Sequence, residues 1–163
     1  MSIQKGDPIP DARLFDLDEQ GAPRAVSAAE RLAGKRIVLF AVPGAYTRTC
    51  SEKHLPSFVQ HAEAIKAKGI DEIVCVAVND AMVLAAWGRD HGTAGKVSML
   101  SDGLCDFTHA IGLDQDLSAR GLGMRSKRYA MLIENGKVAD IYVEPPGEYG
   151  VSSAEAVLKQ LSA

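Results

Sequence analysis

Two nearly unbroken apolar runs do most to limit what this chain can fold into: Arg36-Ile37-Val38-Leu39-Phe40-Ala41-Val42 and Ile73-Val74-Cys75-Val76-Ala77-Val78. Both are partly β-branched and neither alternates with polar residues, the pattern of strands buried on both faces. Between them Leu55, Phe58, Val59, Ala62 and Ile65 recur at spacings of three and four, with Lys66 and Lys68 near the end and Gly69 as the stop. That is an amphipathic helix, and Pro56 is expected to kink it near its first or second turn. A strand, a crossover helix and a second strand form the unit that builds parallel sheets.

The flanking segments extend the pattern. Residues 12–17 partly alternate and lead into the turn-forming stretch 19–23, while Ser27-Ala28-Ala29-Glu30 is a capping box opening a short helix that stops at Gly34. A helix is expected over about 81–91, a strand over 97–100, a short helix over 106–111, and a glycine-containing loop up to Gly123. Residues 129–133 and 137–143 flank Glu134-Asn135-Gly136, and Asn-Gly between two strand patterns is the strongest short hairpin signal. A last helix runs from Ser152 or Ser153 to Leu161. The expected architecture is α/β, a mixed central sheet flanked by helices, in one domain spanning 1–163.

Composition narrows the function classes. A net charge of −3 and a pI near 5.8 give no sign of nucleic acid or an anionic membrane surface as partner. No apolar run approaches the length of a membrane helix. The N-terminus lacks the apolar core of a secretory signal, so the cytoplasm is the expected location. Three widely spaced cysteines, Cys50, Cys75 and Cys105, do not make a disulfide framework.

Cys50 stands out because of its neighbours. It follows the first apolar run at the carboxyl end of the strand, where ligands of such sheets tend to bind, in the segment Pro43-Gly44-Ala45-Tyr46-Thr47-Arg48-Thr49-Cys50. Thr49 and Glu52 fit a capping box, which would put Cys50 first in the helix among free N–H groups and the positive end of the dipole. A thiolate is favoured over a thiol there, although Glu52 opposes it and a cation from elsewhere would help. Arg125, Lys127 and Arg128, just before the hairpin, are candidates. Pro43 and Gly44 shape a tight turn, and Thr47 can place a hydroxyl beside the sulfur.

The stretch VPGAYTRTCSEKHLPSF resembles the active-site signature of the peroxiredoxins, in their type II/type 5 branch. GKRIVLFAVPGAYT, VNDAMVLAAWG, SDG and RSKRYAMLIENGKV…VEPPG resemble that family in order and spacing, so the likeness covers nearly the whole chain. It implies a thioredoxin-like fold with an N-terminal extension and a thiol peroxidase that reduces hydrogen peroxide and organic hydroperoxides without metal or organic cofactor. By position it implies Cys50 as the peroxidatic cysteine, Thr47 and Pro43 as residues shaping its pocket, and Arg128 rather than Arg125 as the activating guanidinium. Arg48 departs from the proline common between the two threonines, which bears on the entrance. The resemblance further implies glutathione/glutaredoxin or thioredoxin as reductant and a homodimer.

No cysteine lies in the C-terminal stretch 147–153, where some relatives carry a resolving thiol. Cys75 resembles the second cysteine of plant and bacterial members; it is a resolving candidate or core filler, and Cys105 reads as structural. Three other classes stay open on the residues alone. Cys50 and His54, at i and i+4, could be metal ligands; the same pair could be nucleophile and base of a hydrolase; or the domain could be a scaffold without chemistry. Within the family signature His54 is a structural hydrogen-bonding residue, Trp87 is helix packing, and His61, His91 and His109 are surface or satisfied partners.

Overall fold

The computed structural model describes residues 1–162. The two apolar runs form β3 (Arg36–Ala41) and β4 (Glu72–Ala77), parallel and in register from Ile37 opposite Glu72 to Ala41 opposite Val76. β5 (Ser98–Ser101) continues the parallel set beyond β4. On the other side of β3 lies the hairpin of β8 (Tyr129–Glu134) and β9 (Lys137–Val143), antiparallel as Asn-Gly requires. Asn135 and Gly136 both take positive φ, 51° and 79°, the signature of the tight turn whose twist matches a hairpin.

A helix follows each parallel strand and brings the chain back across the sheet. α2 (Leu55–Lys66) links β3 to β4, α3 (Ala81–Asp90) links β4 to β5, and α4 (Asp106–Ala110) follows β5. α1 (Ala28–Arg31) precedes β3, and α5 (Ala154–Leu161) closes the chain. Side-chain caps form at three of these, Ser27 as its capping box predicts: Ser27 accepts from Glu30, Asp80 from Val83, and Ser153 from Ala156, each at a backbone N–H. Among the described residues no helix is long and apolar enough to cross a membrane.

Alternation within β3 explains why both of its faces are apolar. Val38, Phe40 and Val42 point to a cluster with Phe58, Ile65, Cys75 and Trp87, under α2, α3 and α5. Ile37, Leu39 and Ala41 point to the opposite cluster, with Val74, Phe107 and Tyr129. The mixed sheet flanked by helices is as expected, and it is thioredoxin-like.

Two elements differ from the sequence expectation. Residues 23–27 form β2 (Pro23–Ser27), pairing with β1 (Arg13–Leu17) as an outer hairpin, so the sheet has seven strands in the order β2-β1-β5-β4-β3-β8-β9. This N-terminal extension was legible only in part, because an edge strand with solvent on most of its residues carries no apolar alternation. The loop before the hairpin contains a two-stranded ladder, β6 (Asp114–Asp116) with β7 (Met124–Ser126). Three residues per strand are too few for a period to appear.

Phe40 on β3 stacks on Phe58 of α2, with ring centroids 4.0 Å apart and nearly parallel planes. Both rings are fully buried, and this contact seats the helix that follows Cys50. Truncation of Phe58 to Ala is expected to cost about 3–5 kcal/mol. Urea unfolding of the variant checks this, and a loss below about 1 kcal/mol would show that the stack does not anchor the helix.

Candidate active site

The site grows from the end of β3. Beyond Val42 the chain turns at Pro43 and Gly44, and Ala45 is held by its N–H donating to the Asn79 side chain beyond β4, 2.8 Å. Gly44 has no room for a side chain: a Cβ there would collide with the Arg125 guanidinium and come within 3.2 Å of the Thr47 methyl. Arg125 donates from Nη1 to the Pro43 carbonyl, 3.0 Å, and from Nε to the Leu122 carbonyl, 2.9 Å. It clamps the backbone of the turn and makes no hydrogen bond to the sulfur. Its place in β7, opposite Gln115, explains how it reaches the turn.

The helix carrying Cys50 begins earlier than the capping-box pattern suggests. Thr49 has helical φ and ψ, −65° and −36°, and caps nothing with its side chain. Thr47 stands at the boundary instead, with its carbonyl accepting from Ser51 N–H at 3.0 Å and its hydroxyl donating to the Gly44 carbonyl at 2.6 Å. Cys50 is therefore not the first helical residue, though it stays in the first turn. From Cys50 to His54 the turn is π-helical, with Leu55 N–H donating to the Cys50 carbonyl. Pro56 supplies the reason. It has no N–H for a carbonyl four residues back, and widening the preceding turn accommodates the gap. The irregularity expected from Pro56 thus lands at the cysteine itself.

The sulfur is buried, with no exposed surface at Cys50. Arg128, at the junction of β7 and β8, donates from Nη2 to Cys50 Sγ at 3.2 Å and from Nη1 to His54 Nδ1 at 2.9 Å. The other ring nitrogen of His54 donates to the Ser152 carbonyl at 2.9 Å, which fixes the tautomer with the proton on Nε2. Burial, and then the Arg128 charge, push the His54 pKa down to about 3. The ring packs against the side of the Phe40–Phe58 stack, 5.0 and 5.7 Å from the two ring centroids, with Tyr149 against it edge-on at 5.3 Å. Arg128 makes no salt bridge among the described residues. Its two side-chain partners in the site are a neutral imidazole and a sulfur, and no described carboxylate pairs with it directly.

Glu52 does not face the thiol. Its exposed carboxylate lies 3.7 Å from Arg48, one turn back, so the opposing charge is directed to solvent. Ser51, next to Cys50, accepts the indole N–H of buried Trp87 at 2.9 Å. Trp87 is helix packing as expected, and it also ties α3 to the cysteine turn. Tyr46, at a positive φ of 62°, donates to Asp90 at 2.6 Å and forms a second tie to α3.

Two of the alternative classes fail on these contacts. Both nitrogens of His54 are engaged, so it cannot ligate a metal beside Cys50. A histidine whose pKa lies near 3, and whose free lone pair takes an N–H from arginine, cannot serve as general base to a thiol at neutral pH. Glu144, Tyr149 and Ser152 also lie around His54; Glu144 falls within the VEPPG stretch of the resemblance, but nothing in the sequence assigns any of the three to the site.

Cys75 lies opposite Phe40 in the parallel ladder and is fully buried in the same cluster as Cys50. Burial first, and then the Cys50 charge, raise its thiol well above the usual range. It is a protonated thiol packed in the core. Cys105 has a left-handed backbone, φ 59°, at the start of α4, and burial together with Asp102, Asp114 and Asp106 raises its thiol too. All three cysteines are free.

The redoxin family model matches residues 4–158. Peroxiredoxin-2C of Arabidopsis thaliana is 46% identical over 159 residues, covering 98% of both chains. Among solved structures, reduced Prx3 of Vibrio vulnificus in complex with hydrogen peroxide superposes with a TM-score of 0.93 at 46% identity, covering 98% of this chain and 99% of that one. A Burkholderia cenocepacia protein, described provisionally as a thioredoxin reductase, gives 0.95 at 54% identity with complete coverage of both chains.

The depressed His54 pKa has a consequence for stability. Unfolded, this histidine takes a proton near 6.5; folded, it does so only near 3. Its contribution is therefore intact above pH 6.5 and is lost as pH falls toward 3. Between pH 6.5 and 4.5 the wild type is expected to lose about 2–3 kcal/mol more than His54→Gln. Urea titrations at the two pH values measure the difference, and parallel losses in the two proteins would show that His54 is not held neutral.

Proposed function

The chain belongs to the peroxiredoxins, in their type II/type 5 branch, and is a thiol peroxidase; from that premise we propose that Cys50 reduces hydrogen peroxide and organic hydroperoxides and is itself restored by an external thiol. The observation that carries this reading is the 3.2 Å contact from the Arg128 guanidinium to a buried sulfur. A charge-assisted donor in a water-poor pocket stabilises negative charge on the atoms it meets.

The Cys50 thiolate attacks one peroxide oxygen along the O–O axis. The S–O bond forms as the O–O bond breaks, its electron pair leaving on the second oxygen as hydroxide or alkoxide. Arg128 stabilises that developing charge, in the way an oxyanion hole does. Thr47 serves differently from a simple donor. Because its proton goes to the Gly44 carbonyl, its oxygen lone pairs are available to accept the O–H of an arriving hydroperoxide and align it. Pro43, fixed through its carbonyl by Arg125, walls the pocket against water.

The product is Cys50 sulfenic acid. One external thiol condenses with it to a mixed disulfide and releases water. A second thiol restores Cys50 and leaves the oxidised reductant as a disulfide. Glutathione with glutaredoxin fits this scheme, and thioredoxin is the other candidate. Cys75 could resolve the sulfenic acid only if the π-helical turn unravels, since a disulfide needs Cα atoms within about 7 Å and opposed sulfurs; its burial favours the external route. A dithiol reductase role has no paired cysteines to work with, since the three are widely spaced.

A homodimer is supported by three half-exposed apolar side chains, Tyr46, Met82 and Leu104. They follow the carboxyl ends of β3, β4 and β5, beside the site.

Peroxide consumption with glutathione and glutaredoxin is expected to vanish in Cys50→Ser and to fall roughly 10²- to 10³-fold in Arg128→Met. Cys75→Ser is expected to turn over at the wild-type rate. Full activity in Cys50→Ser would refute the assignment of the nucleophile, and loss of turnover in Cys75→Ser would make that thiol the resolver.

A further inference from the structure

Arg128 can donate to His54 only while the His54 Nδ1 carries no proton, and that depends on the Ser152 carbonyl occupying the other side of the ring. If that carbonyl moved away, the proton could sit on Nδ1 and face the Arg128 N–H. Two donors would then oppose each other, and the guanidinium would be pushed off the sulfur. What holds Ser152 therefore bears on the reactive atom.

One oxygen does most of the holding. Oε2 of buried Glu144 accepts from Gly150 N–H at 2.6 Å, from Ser152 N–H at 2.9 Å and from the Ser152 hydroxyl at 2.7 Å. The same residue donates its own N–H to the Arg128 carbonyl at 2.9 Å. Glu144 thus grips both ends of the relay, the backbone of the arginine and the loop that orients the histidine. Tyr149, in the same loop, lies edge-on to His54, with its ring centroid 6.0 Å from the guanidinium carbon of Arg128. The carboxylate forms no ion pair with Arg128, so it orders the relay without drawing the guanidinium off the sulfur.

We propose that Glu144 is a positioning residue for the Cys50 reaction: by gathering Gly150 and Ser152 onto one carboxylate oxygen it fixes the His54 tautomer and so keeps Arg128 on the sulfur. The inference rests on the peroxidase reading above. Burial works against the charged carboxylate, but the donors from Gly150 and Ser152 outweigh it and hold Glu144 below the usual carboxylate range. The carboxylate is therefore ionised at any pH where the enzyme would act. The nearby proline pair, Pro145-Pro146, adds stiffness to the loop but no donor or acceptor that could replace the carboxylate.

Glu144→Gln keeps the shape and one acceptor oxygen but removes the charge that binds three donors. It is expected to slow the reaction of Cys50 with hydrogen peroxide roughly tenfold to a hundredfold. Imidazole nitrogen NMR should change from one His54 tautomer, protonated on Nε2, to a mixture. In an Arg128→Met background the same substitution should change the rate by less than about twofold, because the group it acts through is gone. A wild-type rate in Glu144→Gln, a single unchanged His54 tautomer, or an undiminished loss in the Arg128→Met background would each overturn the inference. Should Glu144→Gln fail to fold, Ser152→Ala deletes one of the three donors and is read by the same measurements, with smaller shifts expected. If the wild type itself consumes no peroxide, the peroxidase reading fails, and the His54 tautomer still decides whether Glu144 sets it.

Discussion

A guanidinium aimed at a buried sulfur is the interaction on which the rest of this structure depends. A guanidinium is costly to withdraw from water alone, since an isolated ion loses its hydration in a protein interior, and it needs acceptors to meet its donors. Arg128 meets His54, which burial keeps neutral, and among the described residues no salt bridge draws the guanidinium away from Cys50.

Much of the surrounding architecture serves that contact. β3 ends at the proline turn and delivers Cys50 to the carboxyl edge of the parallel strands. The Phe40–Phe58 stack seats the following helix and supplies two of the rings around His54. Pro56 widens the first turn into a π-helix, so the segment bearing Cys50 is the least regular part of its helix. Two side-chain hydrogen bonds tie this region to α3, from Trp87 to Ser51 and from Tyr46 to Asp90. A turn held by such ties, rather than by a regular hydrogen-bond ladder, can open locally without unfolding the sheet. The proposed cycle needs such an opening, since an external thiol must reach a buried sulfur.

The structure also separates two arginines that the sequence presents as neighbours in one basic stretch. Arg125 lies on the short β6–β7 ladder and clamps the backbone at Pro43, where Gly44 leaves space for it. Arg128 lies three residues on, where the chain enters β8, and reaches the sulfur. One shapes the wall and the other supplies charge. Thr47 changes character in a similar way, because committing its proton to Gly44 leaves it an acceptor.

The sequence by itself determined the buried parallel strands, the crossover helices, the Asn-Gly hairpin and the position of Cys50 at a strand–helix junction. These follow from local periodicity and turn chemistry, which act over a few residues. It also carried, through resemblance, the pairing of Cys50 with Arg128. It could not show β2 or the β6–β7 ladder, whose strands are too exposed or too short to leave a period, nor that the helix starts before Thr49. Only the tertiary structure decided that His54 is a neutral acceptor rather than a base or metal ligand, that Cys75 is a protonated core thiol, and that Glu144 anchors the loop behind the site. The physical reason is distance along the chain: residues 54, 128, 144 and 152 meet only once the sheet has formed, and their charge states are set by burial that no short stretch of sequence encodes.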